Sequence, residues 1–372
     1  MLDALRWLLL AAGALMVGGT LLGFSRSPRW FIRLWDFPRV QIAVVATVSG
    51  ALYAAFFFLG SAIEWVWLAA VGLCVGWQAY RIFPYTPLAR RQVKRSGRLP
   101  HDRDSRGRRF RLLISNVRME NRATERLLRV IRENDPDLVL AVETDERWAR
   151  AFDSLASVYP HAVRHPRGNY YGMVLLSKLP LVDPRVEFLV QDDIPSIHTG
   201  VELPGGDRIF LHGLHPRPPE PVRGQDSTPR DAELVIVGRR IGEGERRPTV
   251  VAGDLNDVAW SPVSELFLRL SGLLDPRVGR GMFNSFNANN PFFRYPLDHV
   301  FHSDDFRLVS LRRLPHIGSD HFPLLIELSY EPEGEAGQPE PGKRPGDEEE
   351  AREKLVEQAE AARTGDDRPS RE

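Results

Sequence analysis

The sequence predicts a layered α/β domain with mixed or antiparallel sheets, held behind an N-terminal helical region built to enter a membrane. Three observations lead there. Between residues 110 and 330, apolar runs alternate with helical patterns, and strands outnumber helices with several adjacent. The first hundred residues contain long uncharged stretches. Charge is also partitioned along the chain. Residues 1–100 carry 11 basic and 3 acidic side chains, residues 101–330 carry 31 and 32, and residues 331–372 carry 7 and 14. The formal net charge of zero describes none of these parts. It does exclude a uniformly basic nucleic-acid-coating protein and a wholly acidic disordered chain. The one cysteine, Cys74, excludes an internal disulfide framework and a zinc site built on several thiolates.

The N-terminal region comes first. Trp7–Ser25 and Val40–Ile63 are uncharged over 19 and 24 residues, and Trp65–Tyr80 over 16. A bilayer core of roughly 30 Å needs about 20 apolar residues in helix, so the first two suffice alone. Residues 40–80 carry only Glu64, beside the turn-like Gly60-Ser61, and read together as a helical hairpin. Six of the eight tryptophans lie in this region, mostly near span ends, where interfacial anchoring favours them. A cleaved signal peptide fits poorly, because only Arg6 charges the leading region and no A-x-A pattern follows. Residues 1–83 are therefore expected to form a multi-pass anchor of about three helices. Arg26, Arg29, Arg33 and Arg39 precede the hairpin, Arg81 and Arg90 to Arg98 follow it, and its turn has no basic residue. The positive-inside rule then puts both flanks, and the rest of the chain, on the cytoplasmic side of a bacterial inner membrane. Residues 84–109 read as a basic juxtamembrane linker.

The domain at 110–330 follows. Phe110–Val117 reads as a buried strand, Arg122–Asn134 as a helix stopped by Pro136, and Asp137–Val142 as a second strand. Met173–Ser177, Arg208–His212 and Thr249–Ala252 are further strands, with helices at 231–241 and 262–271. Leu297–His302, Arg307–Leu311 and Phe322–Ser329 close the domain. Residues 331–372 lack apolar area to offset ordering entropy, and are expected to be a disordered acidic tail with a transient helix at 348–363.

Polar residues stand at the strand ends. Asn116, Glu143, His215, Asp254 and Asn256 follow strands, while Asp298 and Asp320-His321 precede them. A lone aspartate after a strand is usually a cap or turn former. The set is harder to explain that way, because loops at strand ends are where sites are built.

Ser115-Asn116-Val117, Val142-Glu143-Thr144, Gly253-Asp254-Leu255-Asn256, Leu297-Asp298-His299 and Gly318-Ser319-Asp320-His321-Phe322-Pro323 occur in one order. That order resembles the endonuclease/exonuclease/phosphatase (deoxyribonuclease I-like) superfamily, over about residues 110–330. The resemblance implies a four-layer α/β/β/α sandwich with its site at one end of the two sheets. It implies metal-assisted attack of water on a phosphoester, with Mg2+ (or Mn2+) as cofactor. Glu143 is implied as the direct metal ligand, helped by Asn116 and Asp320. Asp254 would align the attacking water, and Asn256 would donate to a phosphate oxygen. His321 would bind phosphate or move a proton, with Asp298 fixing its tautomer, and His215 would act near the leaving group.

The remaining candidates carry less. His101, His161, His165 and His198 read as surface or turn residues, while His299, His302 and His316 match nothing specific. Asn284–Asn290 reads as a surface loop, with proximity to the site as a second reading. Tyr170, Tyr171, Phe292, Phe293 and Tyr295 could line a groove or fill core. Arg164, Arg167, Arg217 and Arg223 are candidates for a basic patch. The expected activity is phosphodiester cleavage, nuclease ahead of a phospholipid or phosphoinositide head-group activity. A non-catalytic scaffold and a membrane assembly protein are the competing classes.

Overall fold

Two mixed sheets face each other, and helices cover their outer sides. The computed structural model describes residues 1–97, 107–219, 225–332, 338 and 340–365. β1 (Arg109–Asn116) runs parallel to β2 (Leu138–Val142), and β3 (His161–His165) and β4 (Met173–Ser177) extend that sheet. β10 (Phe306–Arg313) and β11 (Leu324–Tyr330) complete it in the order β10-β11-β1-β2-β4-β3. The second sheet is β5 (Leu181–Glu187), β6 (Ser196–Glu202), β7 (Arg208–Leu214), β8 (Thr249–Asp254) and β9 (Asp298–His302), in that order. Its β7 and β8 are parallel and the other pairs antiparallel.

Side-chain alternation makes the layers. On β1, Leu112 and Ile114 point between the sheets, meeting Leu140, Ile197, Leu211 and Val250. Leu113 points the other way, onto α4 (Thr124–Asn134) through Leu127, Leu128 and Ile131. α5 (Glu146–Ala151) adds Trp148 to that layer. The second sheet is covered by α6 (Thr228–Glu243) and α7 (Pro262–Ser271), whose Leu234, Val237 and Phe267 pack on Leu214, Val251 and Phe301. α7 begins where the Ser261 hydroxyl accepts the Ser264 amide at 3.0 Å and ends at left-handed Gly272. The four-layer α/β/β/α expectation holds.

Three N-terminal helices are long and apolar enough to cross a membrane: α1 (Leu2–Leu22), α2 (Arg39–Phe56) and α3 (Ala62–Ile82). At about 1.5 Å per residue, α1 and α3 each reach roughly 30 Å. Polar side chains knit them at both ends. Gln78 donates to Thr20 at 2.8 Å and accepts from Arg39 at 3.1 Å, while Tyr53 donates to Glu64 at 2.7 Å.

The α2–α1 side of this bundle is fastened to the sandwich. Residues 26–38 join α1 to α2 and include a one-turn helix, Trp30–Arg33. There the Trp30 amide donates to Asp226 at 2.9 Å, and the Trp260 indole donates to the Asp36 carbonyl at 2.7 Å. Arg81 of α3 pairs with Glu265 of α7 at 2.9 Å.

Several sequence expectations change. The linker is not a plain solvated spacer: Val93 is fully buried, and Lys94 and Ser96 exchange backbone hydrogen bonds with Leu308 of β10. The tail holds an 18-residue helix, α8 (Asp347–Thr364), docked on α6 and α7. Its Ala351 is buried and its Lys354 pairs with Asp231 at 2.8 Å, so a few well-placed contacts order a polar segment that composition alone could not. β3, β5 and β6 were not expected. β3 and β5 are edge strands, and Pro184 lies in a bulge of β5 next to left-handed Asp183, where a central-strand pattern is absent. His101 lies outside the described residues.

Candidate active site

The site forms where the central strands of both sheets end. Asn116 closes β1, Glu143 follows β2, Asp254 closes β8, and Asp298 opens β9 as its cross-strand partner. His215 follows β7, beside β8. Parallel neighbours end on the same side, which gathers these residues from 27 to 182 positions apart. Gly253 (φ +146°) lets β8 approach β7: a Cβ there would strike the Leu214 carbonyl oxygen. Gly172 does the same for the turn after Glu143, where a Cβ would strike the Thr144 carbonyl oxygen.

Asn116 ties the two sheets together. Its Nδ2 donates to Glu143 Oε1 at 2.7 Å and to Asp254 Oδ2 at 2.9 Å, while its Oδ1 accepts the Arg118 amide at 2.9 Å. Asp254 Oδ1 accepts the Asn256 amide at 2.9 Å. His321 Nδ1 meets Asp298 Oδ2 at 2.8 Å, and its Nε2 stands 3.5 Å from Asp254 Oδ2. Asn256 Nδ2 donates to the Pro216 carbonyl at 3.0 Å, leaving one amide hydrogen for another acceptor. Glu143 (φ +59°) and Asn256 (φ +52°) are both left-handed. For a glutamate that conformation costs about 1–3 kcal/mol and persists only where surroundings enforce it.

Burial and charge set the protonation states. Burial raises the Glu143 carboxyl to about 7 against the pull of the Asn116 amide, and Asp254 and Asp320 raise it further. Burial also raises Asp254, opposed by His321. For His321, burial favours the neutral ring, but Asp254 and Asp298 outweigh it and hold the imidazole up at about 10. His215 is held down at about 4 by burial and is neutral at pH 7. The site thus pairs a cationic histidine with a neutral one.

All eight residues expected from the sequence converge here. Asp320 sits at the rim, a quarter exposed, with Arg118 at 3.7 Å. Oxygen donors of Glu143, Asn116 and Asp320 suit a hard divalent cation, and Asp254 and Asp320 crowd the Glu143 carboxyl with negative charge. Ligand atoms of Asp254, Asp298 and His321 also lie within 4.8 Å of one another, a buried group that could bind a metal. Asp298 Oδ1 has no hydrogen-bond partner among the described residues.

Other candidates fare differently. The 284–290 loop is not a plain surface loop. Ser285 is fully buried and accepts the Asp298 amide at 3.1 Å, and the Phe286 ring lies 5.0 Å from His321. His198 is half-buried on β6, between Ser196 Oγ at 2.8 Å and His212 Nδ1 at 2.6 Å. Tyr171 stacks near His215 at 5.6 Å, whereas Tyr170 and Phe292 are exposed. Of the candidates for a basic patch, Arg164 pairs with Asp153, Arg167 lies over the Phe188 ring, Arg217 is buried, and Arg223 lies outside the described residues.

Sequence reasoning missed three supports. Ser319 donates to the Asn116 carbonyl at 2.8 Å and accepts the His321 amide at 3.0 Å; its place inside the closing motif was the available signal. Buried Arg230 donates to the Asn256 carbonyl at 2.9 Å and pairs with Asp231. The third is an apolar wall from residues 30–38, which no local pattern connects to the site.

Two packed mixed sheets with carboxylates and histidines gathered at their strand ends define a phosphoesterase-type α/β sandwich. The chain belongs to the Endonuclease/Exonuclease/phosphatase family, whose model matches residues 113–321, more than half of its length. Members of this family are generally hydrolases of phosphoesters, and the fold generally uses divalent metals. Similar solved structures include humanized D. rerio TDP2 with 14 mutations (14% identity, 59% of this chain and 99% of that one, TM-score 0.49). Others are an endonuclease/exonuclease/phosphatase from Beutenbergia cavernae (20%, 60% and 72%, 0.48) and the human Nocturnin catalytic domain with bound sulfate anion (16%, 60% and 94%, 0.49). These likenesses concern the fold alone. Among curated proteins nothing matches.

Proposed function

We propose that the protein is a membrane-anchored, divalent-metal-dependent phosphoesterase that hydrolyses a phosphodiester. The observation that carries this reading is the polar chain Asn116–Asp254–His321–Asp298 beside Glu143, in which two hydrogen bonds flank a 3.5 Å charge contact between Asp254 and His321. Glu143, Asn116 and Asp320 would hold Mg2+ or Mn2+, which when bound neutralises phosphate charge and orients the ester. Asp254 accepts a hydrogen bond from the attacking water and aligns it. Protonated His321 donates from Nε2 to a non-bridging phosphate oxygen, while Asp298 fixes its Nδ1. Asn256 donates its second amide hydrogen to the same phosphate. Neutral His215 offers one N–H towards the leaving oxygen. Water adds its oxygen to phosphorus, one P–O ester bond breaks, and the products are a phosphomonoester and an alcohol that keeps the released oxygen and a proton.

Residues 1–83 act as a three-span anchor in the inner membrane, with the catalytic domain cytoplasmic. Arg26, Arg29, Arg33, Arg39 and Arg81 at the span ends nearest the sandwich support that orientation. The test is turnover of bis(p-nitrophenyl) phosphate by the full chain with Mg2+ and with chelator. Metal-dependent release of nitrophenol, lost in Asp254→Asn, supports the reading. Undiminished turnover in that variant would refute the assigned role.

A further inference from the structure

The cleft at the site has a polar end and an apolar side built from the membrane region. It measures about 720 Å³. Glu143, Asn256, Asp320 and His321 form one end. Trp30, Leu34, Trp35 and Phe37, from the segment that joins α1 to α2, form the facing wall with Phe293 and Tyr295. The wall is fixed rather than incidental. The Phe37 and Tyr295 rings meet edge to face at 5.7 Å, and Gln41 of α2 donates to the Phe292 carbonyl at 2.6 Å. The segment lies where α1 ends and α2 begins, which is the edge of the hydrocarbon if these helices span. At its mouth, Leu34 is 54% exposed and Phe293 52%.

A wall of indole, phenyl and leucine carbons offers a polynucleotide no counter-charge along its length. It matches an amphiphile, with a phosphoester at one end and hydrocarbon at the other. We infer that the substrate is a membrane lipid carrying a phosphodiester head group. Its phosphate sits at the Glu143–Asn256–His321 end, and the chain carbons nearest the head group lie along Trp30, Leu34, Trp35 and Phe37. The lipid reaches the site sideways from the leaflet, so its chains stay out of water. This inference rests on the phosphoesterase reading for its chemistry, though its binding claim is separable. In the reaction, water oxygen bonds to phosphorus, the ester P–O bond breaks, and the departing oxygen leaves protonated as the alcohol.

The experiment measures binding of ethyl phosphate and octyl phosphate to the full chain in detergent micelles with Mg2+, by calorimetry with protein-free micelles subtracted. Octyl phosphate is expected to bind more tightly. That preference should fall by at least about tenfold when a charge enters the wall in Leu34→Asp, since a buried charge beside hydrocarbon is strongly disfavoured. Phe293→Asp, in the part of the same wall that the sandwich supplies, serves as the second variant. Equal binding of the two phosphates, or a preference kept in both variants, overturns the inference. Turnover of bis(p-nitrophenyl) phosphate is scored in parallel. Turnover without chain preference removes the lipid inference alone, and cleavage of plasmid DNA in that case would make the site a nuclease. Chain preference without any turnover would remove the hydrolytic reading while keeping the lipid site.

Discussion

Asp298 Oδ2 lies 2.8 Å from His321 Nδ1, and the opposite ring nitrogen faces Asp254 at 3.5 Å. One carboxylate therefore sets the tautomer and the other shares the charge. Both keep the imidazole protonated, with its pKa up at about 10. In Asp298→Asn the ring loses one of its anionic neighbours and the one bonded to Nδ1, so its pKa drops towards the ordinary value. Turnover should fall by roughly 10²–10⁴-fold. The basic limb of the pH–rate profile should also move to lower pH, a shift that a purely structural role for Asp298 would not produce.

Asp254 is fully buried and accepts from both Asn116 and Asn256. Asp254→Asn keeps the size but loses proton acceptance. Turnover is expected to fall by about 10²–10⁴-fold, while the thermal unfolding midpoint of the solubilised chain stays within a few degrees. A collapse of the midpoint together with activity would reduce Asp254 to a structural cap.

Glu143 and Asn116 are linked at 2.7 Å, so the amide orients the carboxylate. Glu143→Gln should abolish Mg2+-dependent turnover. Asn116→Ala should weaken metal affinity by about 10–100-fold, the usual cost of losing an orienting partner. Calorimetric titration with Mn2+ would measure both, and unchanged affinity would move the metal to the Asp254–Asp298–His321 group.

The docked C-terminal helix makes a stability prediction. Lys354 pairs with buried Asp231, which Arg230 also holds. Burial alone would raise Asp231, yet Lys354 and Arg230 hold it down at about 2. Lys354→Ala removes one of two cations, so the loss should stay below the roughly 3–5 kcal/mol of a fully broken buried pair. Denaturant unfolding of the solubilised chain would measure it; no change would mean that α8 contributes nothing to domain stability.

Acid should destabilise the sandwich through histidines held neutral. Burial lowers His302 to about 4 and His212 to about 3. The unfolded chain binds a proton at each near pH 6.5, whereas the folded chain does not. Their stability contribution is complete above about pH 6.5 and falls as pH drops towards 4, by up to about 1.4 kcal/mol per unit for each group. The unfolding midpoint followed from pH 7.5 to 5 should fall, and His302→Gln should make that fall shallower. An identical slope in the variant would show that His302 is already protonated in the fold.

Much of this was legible in the chain. The Met173–Ser177 strand and the 262–271 helix stand where the patterns put them, because a buried strand and an amphipathic helix carry their own periodicity. Two of the edge strands were not legible: β3 is half exposed and β5 bends at Pro184, so neither shows a continuous apolar run. The 284–290 loop read first as surface and only second as near the site, since nothing local ties Ser285 or Phe286 to His321, 35 residues on from Phe286.

The ordered motifs at strand ends carried the superfamily resemblance, and that resemblance singled out the eight candidate site residues, because strand ends and their polar residues are local features of the chain. Hydropathy alone determined that the first 83 residues hold helices long and apolar enough to span a bilayer. Tertiary structure decided the rest. Only packing of the two sheets brings Asn116 within reach of Asp254, 138 residues away, and sets the charge of His321. Only docking of residues 26–38 on the sandwich turns Trp30, Leu34 and Trp35 from interfacial anchors into one side of the cleft. The physical reason is the range of the interactions: periodicity and capping act over a few residues, whereas burial and Coulomb terms depend on which distant surfaces meet.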